Sequence, residues 1–265
     1  MSTTTIAPRG RRPHLSFVVS DRLISFASPI GLLLIWEVAA RLGFVDVRFF
    51  PAPSSIIMTL IAMMQSGELW VHLWASLRRL AWGFLLGGVP ALVLGVVMGL
   101  SRPLRAMFEP LISALYPIPK SSIVPLALLI FGLGESSKIF MVALGVFFPI
   151  AINATTGVLE INKIYLDVGK NFKAGRWSTF RSIALPGALP VIFTGIRLGV
   201  GMGLVLISIA EMVGAKTGLG FMIWNAWETF AVEQMYVGLF VIAIIGLVLN
   251  IVLNEIEKIL VPWKR

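Results

Sequence analysis

The residues able to do chemistry in this chain are few, and they form no catalytic set. There is no cysteine, so neither a thiolate nor a disulfide framework is available. His14 and His72 have no metal-like company. No nucleophile–base constellation is present, and intramembrane hydrolysis has no His-Glu-x-x-His or paired aspartates to rest on. Gly214-Ala-Lys216-Thr217 resembles the end of a phosphate loop but lacks the glycine directly before the lysine. Gly199-Val-Gly201-Met-Gly203 has a dinucleotide-like spacing, yet it sits inside an apolar helix with no strand before it. No enzyme activity, metal or cofactor is expected of this chain, and any ATP with its Mg²⁺ must be handled on another chain.

What remains is a set of charges in apolar surroundings. The chain has 265 residues, 57% of them hydrophobic and 13% charged, with a mean hydropathy of +0.91. Soluble domains carry roughly 25% charged residues. So much apolar surface cannot be hidden from water, and lipid must be the main solvent. The net charge of +9 is dispersed in short patches between apolar runs. That pattern fits the positive-inside bias and not a nucleic-acid surface.

Six segments are each long enough to cross a hydrocarbon core: 23–40, 80–100, 111–134, 139–159, 189–212 and 234–254. Their periodicity is not that of barrel strands, so an all-α membrane protein with six transmembrane helices is expected. With the N-terminus inside, fourteen Lys and Arg fall on the cytoplasmic side and six on the outer side. Both termini are therefore expected in the cytoplasm, with Arg78 and Arg79 the exceptions that crowd an outer helix end. Residues 1–20 read as a flexible cytoplasmic tail, followed by a transmembrane domain over 21–265. Pro51 to Arg79 reads as an amphipathic segment at the outer interface, with a helix opened by Pro53 and Ser54. Glycine pairs Gly83/Gly87 and Gly95/Gly99, and the cluster Gly195, Gly199, Gly201 and Gly203, mark close helix packing.

Three features concern passage through the membrane. Tyr116-Pro117-Ile-Pro119-Lys120-Ser-Ser-Ile-Val-Pro125 breaks the third span, which lipid tolerates only against protein or a water-filled path. Lys120 either faces that path or snorkels to the interface. Arg197 and Glu211 are costly at membrane depth unless paired or wet. They lie about 21 Å apart along one helix, too far to pair with each other. Arg197 is a candidate for attracting anions, whereas Glu211 either lines the path or pairs near the outer end. Beyond the fifth span, Gly218-Leu-Gly220 and a short helix with Trp224, Trp227 and Glu228 form an outer hairpin. It reads either as an aromatic belt or, with Glu135 and Lys138, as a rim for an extracytoplasmic delivery protein.

The one long polar stretch runs over 160–186, with Lys163, Lys170, Lys173, Arg176 and Arg181 between apolar spans. Ile164, Val168 and Phe172 share one face of a first short helix, and Trp177, Phe180 and Ala184 one face of a second. A basic face beside an aromatic one suits the groove of a soluble partner.

Here the chain resembles the permeases of ATP-binding-cassette (ABC) importers. Their cytoplasmic EAA motif is Glu-Ala-Ala, three residues, Gly, nine residues, Ile-x-Leu-Pro. The same spacing is met by Asp167-Val168-Gly169, then Lys173, then Ile183-Ala-Leu185-Pro186, with Lys173 in the family's glycine place. Gly175 is expected to take over the turn. Pro51-Ala-Pro-Ser54, Ser66-Gly-Glu-Leu-Trp70, Ser76-Leu-Arg-Arg79 and Tyr116-Pro-Ile-Pro119 are similar to the nitrate/sulfonate/bicarbonate subfamily. So are Phe131-Gly-Leu-Gly-Glu135-Ser-Ser-Lys138, Gly175-Arg176-Trp177 and Gly218-Leu-Gly220.

The resemblance implies a six-helix permease of the bacterial inner membrane that dimerises and docks two ATPase subunits. It implies that a periplasmic binding protein delivers a small solute, with an anion favoured: nitrate, a sulfonate or taurine, bicarbonate or a small carboxylate. Coupling to the ATPase falls on Asp167, Gly169, Phe172, Lys173, Gly175, Arg176, Trp177, Phe180, Ile183, Leu185 and Pro186. The competing reading is an ion-driven carrier or channel without an ATPase. It should show paired intramembrane carboxylates or an inverted repeat, and the chain has neither.

Overall fold

The computed structural model describes residues 21–264; the expected tail, 1–20, lies outside the described residues. Among the described residues every regular element is helical, and the chain divides into two compact units meeting at Ser54 and Ser55. The first unit holds α1, Asp21–Arg41. Glu37, near its end, accepts hydrogen bonds from Arg41 Nε at 2.5 Å and from Ser54 N and Oγ at 2.9 and 2.8 Å. The carboxylate thus closes the loop back onto the first turn of α2, Pro53–Ser66.

The second unit is built on α3 (Glu68–Leu100), α6 (Glu135–Leu159) and α9 (Leu185–Met212). Around them lie α4 (Arg102–Leu115), α5 (Val124–Phe131), α7 (Lys163–Asn171), α8 (Arg176–Thr179), α10 (Leu219–Glu228) and α11 (Val232–Leu260). The glycine faces do what lipid demands of them, since apolar side chains gain nothing there by leaving solvent and backbones must touch instead. A Cβ on Gly87 would enter the backbone of Ala143, and one on Gly95 the backbone of Ala151. Gly195 admits Asn153 and the Pro149 carbonyl, while Gly201 faces open space. Leu80, Ala91, Val142, Val146, Ile150 and Ile207 fill the seam. The opposite faces, Leu85, Leu86, Val89 and Val93 on α3 and Leu247, Val248, Ile251 and Val252 on α11, are exposed. Apolar residues turned outward along whole helices fit a hydrocarbon solvent.

Four helices among the described residues are long and apolar enough to cross a membrane: Glu68–Leu100, Glu135–Leu159, Trp177–Met212 and Val232–Leu260. A fifth arises if Arg102–Leu115 and Lys120–Phe131, bent by 89°, count as one broken span. The expectation of six is corrected to four or five. The third segment is not a continuous crossing, because Pro117 and Pro119 end α4 and a 3₁₀ turn, Lys120–Ile123, restarts the chain in a new direction.

The second span is also longer than expected. α3 starts at Glu68 directly after Gly67, whose φ of 85° turns the chain out of α2. Residues 68–79, expected at the interface, continue the helix instead. Arg78 and Arg79 can ride on it because carboxylates meet them.

Candidate functional site

Polar residues collect at the two ends of the second unit. At the end where α3 and α6 begin, Arg79 is the centre of a buried knot. Its Nε and Nη2 grip Glu135 at 2.9 and 2.6 Å in a two-pronged fork. Its Nη1 reaches Glu211 Oε1 at 2.7 Å and the Thr217 carbonyl at 2.6 Å. Ser76 donates to Glu211 at 2.8 Å and accepts from Leu219 N at 2.8 Å, while Gly220 N donates to Glu211 Oε2 at 3.0 Å. Glu211 therefore also caps the N-terminus of α10, where a negative charge is favoured.

Lys138, buried beside the knot, gives its ammonium to the carbonyls of Leu133, Gly134 and Gly214 at 2.5, 3.0 and 3.1 Å. Two loops and four helices are joined by side chains of complementary charge. Breaking such a buried pair by removing one partner costs roughly 3–5 kcal/mol.

This placement sorts the expected site residues. Glu211 is fully enclosed, and its oxygens are engaged by Arg79, Ser76 and Gly220. Lys138 offers no surface to a partner, whereas Glu135 is half-exposed and also meets Arg78 at 3.0 Å. Trp224 Nε1 donates to Glu228 at 2.9 Å and its ring lies 4.8 Å from that of Trp227, so this part of α10 forms a local exposed cluster. Lys120 is buried, its ammonium on the carbonyls of Leu115, Tyr116 and Ile118 and 4.6 Å from the Phe148 ring centre. It caps the broken helix end. Pro117 and Pro119 are exposed at the break. Arg197 pairs with Glu257 of α11. Arg79, Ser76, Thr217 and Glu257 were not anticipated as site residues. The one available signal was the Arg78-Arg79 pair on a helix end where cations are disfavoured.

At the other end lies the hairpin of α7 and α8. α8 runs through a π-helical turn, Phe180–Ala184, directly into α9. Phe180, Ile183 and Leu185 pack inward on Val96, Ala154, Val158 and Ile161, and Pro186 sits in the first turn of α9. Gly169 leaves room for Ile183, whose Cδ1 would stand 2.8 Å from a Cβ there. Phe172 and Trp177 turn the other way, with 84% and 70% of their surface exposed. Ile164, Tyr165 and Val168 are exposed with them, and Asp167 lies on the same helix. The side chains of Lys163, Lys170 and Arg176 lie outside the described residues.

The turn itself differs from expectation. Lys173 has φ 52° and takes the left-handed position, and Gly175 does not. Ala174 N bonds back to the Gly169 carbonyl at 2.9 Å, the six-to-one closure of a helix ending that prefers glycine at its left-handed residue. Here a lysine, and not a glycine, fills this C-terminal cap.

Comparison with known proteins gives one consistent answer. The family model described as "Binding-protein-dependent transport system inner membrane component" matches residues 91–265. The chain is 34% identical over 245 residues to the taurine transport system permease protein TauC of Escherichia coli K12, covering 91% of this chain and 89% of that one. It is 32% identical over 237 residues to the putative aliphatic sulfonates transport permease protein SsuC of Bacillus subtilis 168, covering 89% and 86%. A solved structure of the MetNI methionine ABC transporter, in inward-facing conformations, matches with a TM-score of 0.53 at 21% identity. That match covers 71% of this chain and 93% of the other, and it bears on the fold alone. A multi-pass helical chain, matched in sequence almost end to end by such permeases, belongs to the binding-protein-dependent transport system inner membrane components, the permeases of ABC importers.

Proposed function

We propose that this chain is the membrane-spanning permease subunit of an ATP-driven importer for a small anion such as a sulfonate, taurine, nitrate, bicarbonate or a small carboxylate. The observation that carries the reading is similarity, at 34% and 32% identity over 91% and 89% of this chain, to permeases named for taurine and aliphatic sulfonates. Hydrolysis of ATP belongs to separate partner subunits, two per assembly. A second copy of the permease completes the path, and a periplasmic binding protein delivers the solute.

The Lys and Arg bias puts the α7–α8 hairpin and both termini in the cytoplasm and the Arg79 knot outside. Phe172 and Trp177, exposed beside basic residues, are then the hairpin's grip on an ATPase groove. Because α8, the π turn and α9 are continuous, a displacement at Trp177 is carried into the membrane as a rigid-body movement.

At the other end, the knot holds α3, α6, α9 and α10 as one block, with Glu135, Trp224 and Glu228 on the rim that meets the binding protein. Pro117, Pro119 and Lys120 border the path at the broken helix, and Arg197 supplies its positive charge. Co-expression with the neighbouring ATP-binding-cassette subunit tests the reading. The two should co-purify, and ATP-dependent uptake in proteoliposomes should require both chains and the binding protein. Uptake by the permease alone would instead support an ion-driven carrier.

A further inference from the structure

The groove between α9 and the last turns of α11 holds a cavity of about 370 Å³, where Arg197, Asn254, Glu255, Glu257 and Lys258 share the lining with Ile251 and Val261. Its charges are already paired. Arg197 Nη2 meets Glu257 Oε2, and Lys258 meets Glu255 at 2.6 Å. Yet the arginine is not satisfied: its Nε is buried with no hydrogen-bond partner among the described residues. A guanidinium carries five donors in a rigid fork, and a buried donor left without an acceptor calls for a reason. The Arg197 side chain remains 29% exposed, while that of Glu257 is 9% exposed. Both therefore border the cavity, the cation as the more exposed of the two.

We infer that this cavity is an oxyanion site in which Arg197 is the recognition group and Glu257 its built-in competitor. The inference rests on the importer reading above and deepens it by naming the chemical group that is gripped. A sulfonate, phosphate or carboxylate entering the cavity displaces the Glu257 carboxylate from the guanidinium. It gains the two-pronged contact that arginine offers to planar and tetrahedral oxyanions, with the Asn254 amide and the Lys258 ammonium within the same lining. A neutral solute has no charge with which to displace Glu257.

Competition by an internal carboxylate also keeps affinity low, which suits a carrier whose ligand must leave as readily as it enters. A dissolved oxyanion and the phosphate of a net-anionic lipid headgroup, one with no choline to balance it, present the same chemistry, so the test separates these sources.

The full chain in phosphatidylcholine nanodiscs is titrated with sodium methanesulfonate, with sodium chloride at matched ionic strength as control. The thermal midpoint is followed by tryptophan fluorescence. A second arm replaces methanesulfonate with phosphatidylglycerol in the disc. Wild type should show a saturable rise in midpoint beyond the chloride control. Glu257→Gln should shift the half-saturating concentration down by roughly tenfold, the effect of removing one charged competitor. Arg197→Gln should abolish the response, and Arg197→Lys should keep a weakened one.

A response confined to phosphatidylglycerol, and lost in Arg197→Gln, supports the site with lipid as its source. An unchanged response in both Arg197→Gln and Glu257→Gln overturns the inference, as does a wild type indifferent to both probes. Co-purification with the ATPase is independent of either result, so failure here leaves the importer reading standing.

Discussion

Arg79 and Glu211 stand 2.7 Å apart with 2% and 1% of their side chains exposed, although 132 positions separate them in the chain. Neither is affordable alone. An arginine in an apolar helix must be paired, and a carboxylate enclosed among α3, α9 and α10 must have donors on its oxygens. Their contact explains how α3 begins at Glu68 with two cations aboard.

Removing one partner should be worse than removing both. Arg79→Met leaves Glu211 buried without its cation, and the purified protein should lose roughly 3–5 kcal/mol of stability. Arg79→Met combined with Glu211→Gln should recover part of that loss, since contacting residues are not additive. Thermal unfolding in detergent measures both. A double variant that loses the sum of what Arg79→Met and Glu211→Gln lose singly would show that the pair carries no coupling.

The hairpin cap makes an opposite kind of prediction. Lys173 holds φ 52°, a conformation that costs an L-residue roughly 1–2 kcal/mol and glycine almost nothing. Lys173→Gly should therefore stabilise the hairpin by up to about 1 kcal/mol after glycine's larger chain entropy is subtracted. Slower hydrogen exchange over 164–184 is the expected sign, and Lys173→Val should speed it.

Coupling should depend on the exposed aromatics more than on the buried ones. Phe172→Asp and Trp177→Asp should leave the protein folded in the membrane, because both side chains face outward. Each should cut ATP-driven uptake by roughly tenfold or more, as loss of a buried aromatic anchor does at an interface. ATPase assays of the assembled complex, run beside uptake, decide the matter. Full uptake with either variant would remove the hairpin from the coupling role. Trp177 also stacks on Phe180 at 5.4 Å, so Trp177→Phe serves as the conservative control.

The α3–α6 seam should tolerate no added side chain. A Cβ on Gly87 enters the Ala143 backbone, which cannot yield as a side-chain tip can. Gly87→Val should lower the yield of monodisperse protein sharply, with a cost of at least about 1–3 kcal/mol. Gly201→Ala, at a glycine facing open space, should be neutral by size-exclusion and thermal melt.

Much of this protein is legible in its residues taken in order. Composition names lipid as the solvent, because 13% charged residues cannot clothe a chain this long in water. The i, i+4, i+8 placing of Ile164, Val168 and Phe172 marks a face that is indeed exposed, since helical periodicity is a local property. The glycine pairs of α3 mark a packing face for the same reason. Periodicity, however, says which side of a helix packs and not against what.

Tertiary structure decided the partners. Arg79 with Glu135 and Glu211, and Arg197 with Glu257, join residues 56, 132 and 60 positions apart, and only the packing of whole helices brings them together. It also decided that the third apolar segment is two helices bent by 89° and that Lys173 itself, not Gly175, turns the hairpin. In each case the choice lay between locally comparable conformations. The surroundings settled it: the Phe148 ring of α6 beside the Lys120 ammonium, and Ile183 close against Gly169.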